Sequence, residues 1–507
     1  MPAGYIKRIL EAAVYDVAVE TPVDELTFMS AALKNRILVK REDLQTVFSF
    51  KLRGAYNKMA HLSPEQRKCG VVAASAGNHA QGVALAASKL GILATIVMPV
   101  TTPAIKVRAV SAIGGKYVSI VMYGDRFDDS NRHANELAVN ENMILVPPYD
   151  DPYVIAGQGT IGMEILRQVS GDLDAVFVPV GGGGLIAGIA SYIKYLRPEV
   201  RIIGVEAEDS ACLKAALEKG RRVKLKHTGI FADGVAVAQI GKEPFRIIQK
   251  CVDEVVTASS DEICAAIKDL FDDTRSIAEP AGALALAGLK IYAKDHKLKG
   301  KTLLAIESGA NVNFDRLRFV TERYEIGQHT EALLAVTIPE TPGSLVKLCE
   351  IFAGHNISEF NYRYADEASA NVFVGVHVDG GDKDRSLLLR KLENCGFATV
   401  DMTDNRLAKL HVCHMIGGHA GLMNNEQLYR FEFPERAGIL KEFMTLLRGR
   451  WNISLFHYRR HGGIYANVFV GLQKIKGTRH SMNAFLKELG YPYVCETDNP
   501  AYKLFLK

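Results

Sequence analysis

A chain of 507 residues is too long for one ordinary domain and has material for about three. Apolar residues make up 48% and charged residues 23%, the balance of a globular protein and not of a disordered or fibrous one. With 61 Lys and Arg against 57 Asp and Glu, the formal charge of +4 offers no field for nucleic acid or an anionic membrane and leaves small neutral or zwitterionic partners.

The eight cysteines are scattered without a C-x-x-C pair, which argues against a zinc knuckle or a disulfide framework; no metal is expected. The N-terminus, MPAGYIKRIL, lacks an apolar signal core and is not Arg/Ser-rich, and no uncharged apolar run reaches the length of a membrane span. The expectation is a soluble cytoplasmic protein, or an organellar one whose presequence has been removed.

The first informative stretch runs from Lys40 to Tyr56. The apolar run Arg36 to Lys40 ends in a polar cluster, after which Ser49 precedes Phe50, Lys51 and a helix-like run, Leu52 to Leu62. Lys51 therefore stands at the mouth of a helix, where partial positive charge disfavours an ammonium. A desolvated amine of lowered pKa, able to form a Schiff base with a carbonyl cofactor, explains the placement. Taken alone, the placement is more simply explained by a surface lysine reaching past the first turn.

From residue 34 to 320 short apolar runs alternate with helical patterns. Val71 to Ala74 precedes a helix over Gly77 to Leu90, and Ala94 to Pro99 precedes Ala104 to Ile113. Ala175 to Val180 precedes Leu185 to Leu196, and Arg201 to Val205 leads to Ser210 to Glu218. Buried strands each followed by a helix predict a mainly parallel α/β sheet, with ligands at the carboxyl ends of the strands.

Three turns at such ends carry chemistry. Ser75-Ala76-Gly77-Asn78-His79 opens a helix, so its backbone N–H groups suit a carboxylate, although it also reads as an ordinary capped turn. Gly181 to Gly184, followed by Leu185, lets the backbone approach a phosphate at a helix N-terminus; no Gly-Lys-Ser/Thr follows, so it is not a Walker loop. Ser308, after the run Leu303 to Ile306, can donate to an acceptor nitrogen or merely cap the next turn.

Beyond Arg323 this pattern stops, and residues 325–331 read as a polar connection to an internal repeat. Ile338-Pro339-Glu340-Thr341-Pro342-Gly343 returns as Phe433-Pro434-Glu435-Arg436-Ala437-Gly438, an offset of 434 − 339 = 95. Asn356-Ile357-Ser358 returns as Asn452-Ile453-Ser454, and Asn371-Val372-Phe373-Val374-Gly375 returns as Asn467-Val468-Phe469-Val470-Gly471, both at an offset of 96. Each copy reads β-α-β-β-α-β, the ferredoxin-like order.

Together, SFKLRGAY, SAGNHAQG, GQGTIGMEI, PVGGGGLIAGI, FADGVAVA and ESGANVNFDRLR resemble, in this order, the fold type II pyridoxal-phosphate enzymes, and more narrowly the biosynthetic threonine dehydratases. The resemblance implies two open α/β subdomains in a catalytic domain over 1–324, a linker at 325–331, and ACT-like regulatory domains at 332–417 and 418–507. It implies that Lys51 holds pyridoxal 5'-phosphate and then acts as the base at Cα, with Phe50 near the ring. Asn78 would bond the ring's 3′ oxygen, Gly181 to Leu185 would cradle the phosphate, and Ser308 would meet the ring nitrogen. Ser75, Gly77 and His79 would grip the substrate carboxylate, while Gly157 and Gly234 belong to segments lining the substrate pocket.

A hydroxyl at the ring nitrogen, in place of a carboxylate, makes a weaker electron sink and favours β-elimination over transamination. For L-threonine the products are 2-oxobutanoate and ammonium; L-serine would give pyruvate. The resemblance further implies isoleucine as inhibitor and valine as antagonist, with Gly343, Asn356, Gly438 and Asn452 as effector contacts, in a homotetramer. The alternatives are a serine dehydratase or serine/threonine racemase of the same fold, and a non-catalytic amino-acid sensor. Glu307 departs from the small or apolar residue expected beside Ser308, and strand alternation predicts that it points away from the ring.

Overall fold

In the computed structural model the described residues are 3–314, 316–317, 319–321, 323, 331–339, 344–352, 355, 357–364, 369–378, 380–405, 407–408, 412, 426–434, 443, 446–447, 451–459, 465–474 and 481–505. The chain divides into two compact units, Met1–Val320 and Thr321–Lys507.

The first unit holds two open sheets. One has six strands: β1 (Val23–Glu25), β2 (Arg36–Arg41), β7 (Ala175–Pro179), β8 (Arg201–Ala207), β9 (Glu254–Ala258) and β10 (Thr302–Glu307), in the order β1-β2-β10-β7-β8-β9. All its neighbours are parallel except the edge strand β1. The other sheet is wholly parallel, with β3 (Val71–Ala74), β4 (Ala94–Met98), β5 (Val118–Met122) and β6 (Ile144–Leu145) in the order β5-β4-β3-β6. The alternation of strand and helix along the chain dictates this, because a parallel neighbour requires a crossover, and the covering helices bury both faces. β3 and β7 are buried at every position.

Three helices beside these sheets come together closely at glycines. The helix Lys51–Ala60 meets the helix Pro152–Gln168 where Gly54 and Gly157 face each other: a Cβ on Gly157 would lie 2.6 Å from the Arg53 carbonyl oxygen. The helix Asn78–Leu90 approaches the same element from the other side, so that a Cβ on Gly82 would lie 3.1 Å from the Lys51 carbonyl carbon. Lys51 is thus wedged into the interior by its neighbours' glycines.

In the second unit each repeat builds a four-stranded antiparallel sheet. The first is β12 (Ile357–Tyr364), β13 (Ser369–His377), β11 (Glu331–Pro339) and β14 (Ala398–Asp401), in that spatial order; the second is β16 (Trp451–Arg459), β17 (Tyr465–Lys474), β15 (Glu426–Pro434) and β18 (Tyr493–Cys495). This is the ferredoxin-like arrangement the repeat predicts. Even the irregularity is duplicated, since the register shifts between Ile357 and Glu359 and again between Ile453 and Leu455, 96 residues later. Leu333, Phe373, Leu428, Phe469 and Tyr502 contribute to one core shared by both copies.

The first helix of the second copy is described only at Phe443, Leu446 and Leu447, which are helical. Of the expected effector contacts, Gly343, Asn356 and Gly438 lie outside the described residues; Asn452 lies in β16, opposite Gln473, with its side chain outside them.

Candidate active site

The carboxyl ends of β2, β7 and β10 are adjacent in one sheet, and three of the loops predicted to carry chemistry leave from β3, β7 and β10. Backbone hydrogen bonds tie the Lys51 segment to the last of them. Phe50 N donates to Ser308 O at 3.2 Å, Ala310 N donates to Phe48 O at 2.9 Å, and Ser49 bridges to Gly309. Phe48 takes a left-handed φ of 55° to make this turn. The bonds bring Lys51, the first residue of its helix, beside Ser308 although 257 positions separate them (308 − 51).

Lys51 is partly accessible yet enclosed by protein. Burial pushes its amine down to about 8, against the opposing pull of Glu279. Among the described residues its Nζ has no hydrogen-bond partner; the Phe50 ring centroid lies 5.2 Å away. A lysine held in this way is suited to act as a nucleophile and base. Phe50 itself is buried, 9% exposed.

The loop after β3 is locked by side chains. Ser75 Oγ accepts from Gly77 N at 3.2 Å. Asn78 Nδ2 donates to Glu279 Oε1 at 2.6 Å, while Asn78 Oδ1 accepts from Asn311 Nδ2 at 2.7 Å. His79 is buried, with Nε2 2.8 Å from Val146 O; burial and the Lys51 charge lower its pKa to about 4, so the ring is neutral. Its ring is therefore turned to the backbone, and only its N–H at the helix start is left for an anion.

The turn after β7 is shaped to admit a group with no side chain in the way. Gly183 has φ 89°, a conformation that glycine adopts without cost. A Cβ on Gly182 would fall 2.2 Å from the Tyr149 ring, and one on Gly181 would fall 2.9 Å from Val235 Cα. Every amide of this turn precedes or begins the helix Gly184–Leu196, whose positive end suits a phosphate. Leu185 is buried in the first turn of that helix.

Ser308 is buried, and its Oγ donates to Ala281 O at 3.2 Å. The neighbouring Glu307 was expected to turn away from the site, and its carboxylate lies 3.0 Å from Arg41 Nε on the adjacent strand. It is not in solvent: both oxygens are buried without a hydrogen bond, and burial, then Asp43, pushes its pKa up to about 8. Gly234 lies over the site, its missing Cβ 3.5 Å from Glu279 Oε1. Gly157 lies on the helix Pro152–Gln168, where a Cβ would run into Arg53 and Gly54 of the helix that Lys51 opens.

Three residues the motif reading passed over complete the arrangement: Glu279, Asn311 and Tyr149. The sequence offers one weak signal for Glu279, its position immediately before Pro280 at a helix start. An enclosed amine of lowered pKa, an amide pinned by two partners, a glycine turn at a helix N-terminus and a buried hydroxyl fit pyridoxal phosphate in its aldehyde, ring oxygen, phosphate and ring nitrogen. The glycine turn fits least ambiguously: a Cβ at Gly181, Gly182 or Gly183 would strike Val235, Tyr149 or Ile240 and push the backbone amides out of place.

Comparison with known proteins agrees. Residues 14–309 match the family model "Pyridoxal-phosphate dependent enzyme", and residues 322–412 and 418–506 each match "C-terminal regulatory domain of Threonine dehydratase". The biosynthetic L-threonine dehydratase IlvA of Burkholderia multivorans is 51% identical over 502 residues, covering 99% of each chain. The processed threonine deaminase isoform 2 of Solanum lycopersicum superposes with TM-score 0.61 at 50% identity, over 63% of this chain and 92% of that one. Maize serine racemase superposes with TM-score 0.59 at 31% identity, over 64% of this chain and 98% of that one. Matched in both its catalytic and its repeated regulatory parts, the chain belongs to the pyridoxal-phosphate-dependent enzymes and, along its whole length, to the biosynthetic threonine dehydratases.

Proposed function

We propose that the protein converts L-threonine to 2-oxobutanoate and ammonium, and L-serine to pyruvate and ammonium, at the site centred on Lys51, as the first step towards isoleucine. The carrying observation is the Phe50 N to Ser308 O bond of 3.2 Å, which sets an amine of pKa about 8 beside a neutral hydroxyl at the carboxyl end of β10. Bound pyridoxal phosphate supplies a carbonyl that condenses with amines and a conjugated ring that withdraws electrons from Cα.

The chain's own residues do the rest. Gly181 to Gly184 and the N-terminus of the following helix hold the phosphate, and Asn78 donates to the ring oxygen. Ser308 offers a hydroxyl, and no charge, to the ring nitrogen, which favours prompt loss of a β-substituent. The N–H groups of the loop Ser75 to His79 orient the substrate carboxylate. The Lys51 amine takes the α-proton; the β-hydroxyl then leaves as water, and the released enamine hydrolyses to the 2-oxo acid and ammonium.

We further assign 1–324 to catalysis, 325–331 to a connection, and 332–417 and 418–507 to binding isoleucine as inhibitor and valine as its antagonist. A homotetramer in the cytoplasm suits a biosynthetic enzyme of this kind; among the described residues no helix is long and apolar enough to cross a membrane. Release of 2-oxobutanoate from L-threonine, slowed by isoleucine, tests the reading. Formation of D-serine or D-threonine without 2-oxo acid would support a racemase instead, and a colourless, inactive protein would support a sensor.

A further inference from the structure

Among the described residues Glu279 is the one acidic side chain hydrogen-bonded to the Asn78 amide. It is 5% exposed and stands at the N-cap position of the helix Pro280–Asp295, where Glu279 N donates to Gly309 O at 3.0 Å. That bond fixes it to the same loop that presents Ser308. Its Oε1 accepts from Asn78 Nδ2 at 2.6 Å and lies 3.5 Å from where a Gly234 Cβ would stand. No side chain at residue 234 therefore competes for this oxygen.

We propose that Glu279 is a positioning residue for the reaction, fixing the Asn78 amide that it accepts from and setting the charge that acts on the Lys51 amine. The inference rests on the dehydratase reading above. Asn78 has two amide hydrogens and one carbonyl. Glu279 takes one hydrogen and Asn311 occupies the carbonyl, so the amide plane is fixed and one hydrogen remains to donate to a ring oxygen.

The charge has a second effect. The groups that act on Glu279 come from four elements: Asn78 on the helix Asn78–Leu90, Asp233 on the turn Asp233–Val235, Lys106 on the helix Ala104–Gly114, and Arg316. Lys51 is the group on which Glu279 acts in turn. Asp233 is already paired with Lys106 and Arg316, each at 3.1 Å, so the acid opposes ionisation of Glu279 while the two cations are largely spent on it. Burial, and then Asp233, push the Glu279 carboxyl up to about 7, close to the Lys51 amine at about 8. Neutralising Glu279 therefore removes a charge that acts on the Lys51 amine as well as the acceptor that holds Asn78.

The test uses the full-length holoenzyme and the variants Glu279→Gln and Glu279→Ala, with cofactor retention read by visible absorbance after dialysis. Gln keeps an oxygen for Asn78 and loses the charge. It should retain cofactor like the wild type, lower kcat/KM for L-threonine about 10-fold, and abolish an acid limb centred near pH 7 in the wild-type profile. Ala removes both functions and should also shed cofactor on dialysis. A Gln variant with the wild-type pH profile and kcat/KM within about twofold of wild type overturns the proposal. Wild-type protein that fails to release 2-oxobutanoate overturns the dehydratase reading instead, so the two failures are distinguishable.

Discussion

Arg53 grips Glu42 with two parallel hydrogen bonds, Nε to Oε2 at 2.8 Å and Nη2 to Oε1 at 2.9 Å, and neither side chain reaches solvent. The same guanidinium reaches Glu164 on the helix Pro152–Gln168, Nη1 to Oε1 at 2.5 Å, and Lys40 closes the circuit at 2.7 Å from Glu164 Oε2. Two cations and two anions thus neutralise one another in a dry interior, two residues after Lys51. Removing one partner would leave uncompensated charge, a loss of about 3–5 kcal/mol. Arg53→Ala should therefore lower the unfolding midpoint sharply in thermal denaturation of the holoenzyme. A loss under about 1 kcal/mol would mean that water or rearrangement rescues the two glutamates.

The glycine turn should fail by occlusion. In Gly182→Ala the new methyl must displace the Tyr149 ring, 2.2 Å from it, and with it the shape of the loop after β7. The expected outcome is at least a tenfold loss of cofactor affinity, about 1.4 kcal/mol, at unchanged circular dichroism. Titration of visible absorbance against added pyridoxal phosphate measures it, and wild-type affinity would remove the turn from the phosphate site.

Glu307 gives a pH dependence with a definite sign. Its carboxyl ionises near the ordinary 4.5 in the unfolded chain and near 8 in the folded one, because it is buried beside Asp43. Between those values the unfolded state has released the proton and the folded state has not, so this residue's contribution to stability falls as pH rises from 4.5 to 8 and levels off above. Glu307→Gln, neutral throughout, should flatten that slope and gain about 1 kcal/mol or more at pH 8. Arg41 keeps Asp43 and Asp24 as partners in the variant. Denaturant melts at pH 5 and 8 are the check, and an unchanged slope would show that Glu307 is ionised in the folded state.

These residues also mark how far the sequence could be read. The strand ends, the helix opened by Lys51, the four-glycine turn and the 96-residue repeat were all legible, because each is a local pattern whose physics is local. Glu307 was placed by alternation, which separates two faces but does not make one of them wet; in a sheet covered on both sides the second face is another interior. Gly157 read as a pocket residue from its motif neighbours; that it also lets two helices meet, at Arg53 and Gly54, is a packing role the motif does not announce. Glu279 was invisible for a different reason: it meets Asn78 across 201 positions, a contact that only the finished fold creates.

Regulation should be separable from catalysis. A chain ending near Arg323 is expected to keep threonine dehydration and lose inhibition by isoleucine, where coupling of about 1–3 kcal/mol corresponds to a 5- to 150-fold change in affinity. Inhibition curves for the full and shortened chains decide it. A shortened enzyme that isoleucine still inhibits would place the effector site within the first unit.

The claim on which the rest depends is that the Lys51 amine carries the cofactor. Borohydride reduction of the holoenzyme followed by peptide mass spectrometry tests it most directly. The expected result is a single phosphopyridoxyl adduct, on the peptide containing Phe50-Lys51-Leu52; an adduct on another lysine, or none in a coloured protein, would contradict it.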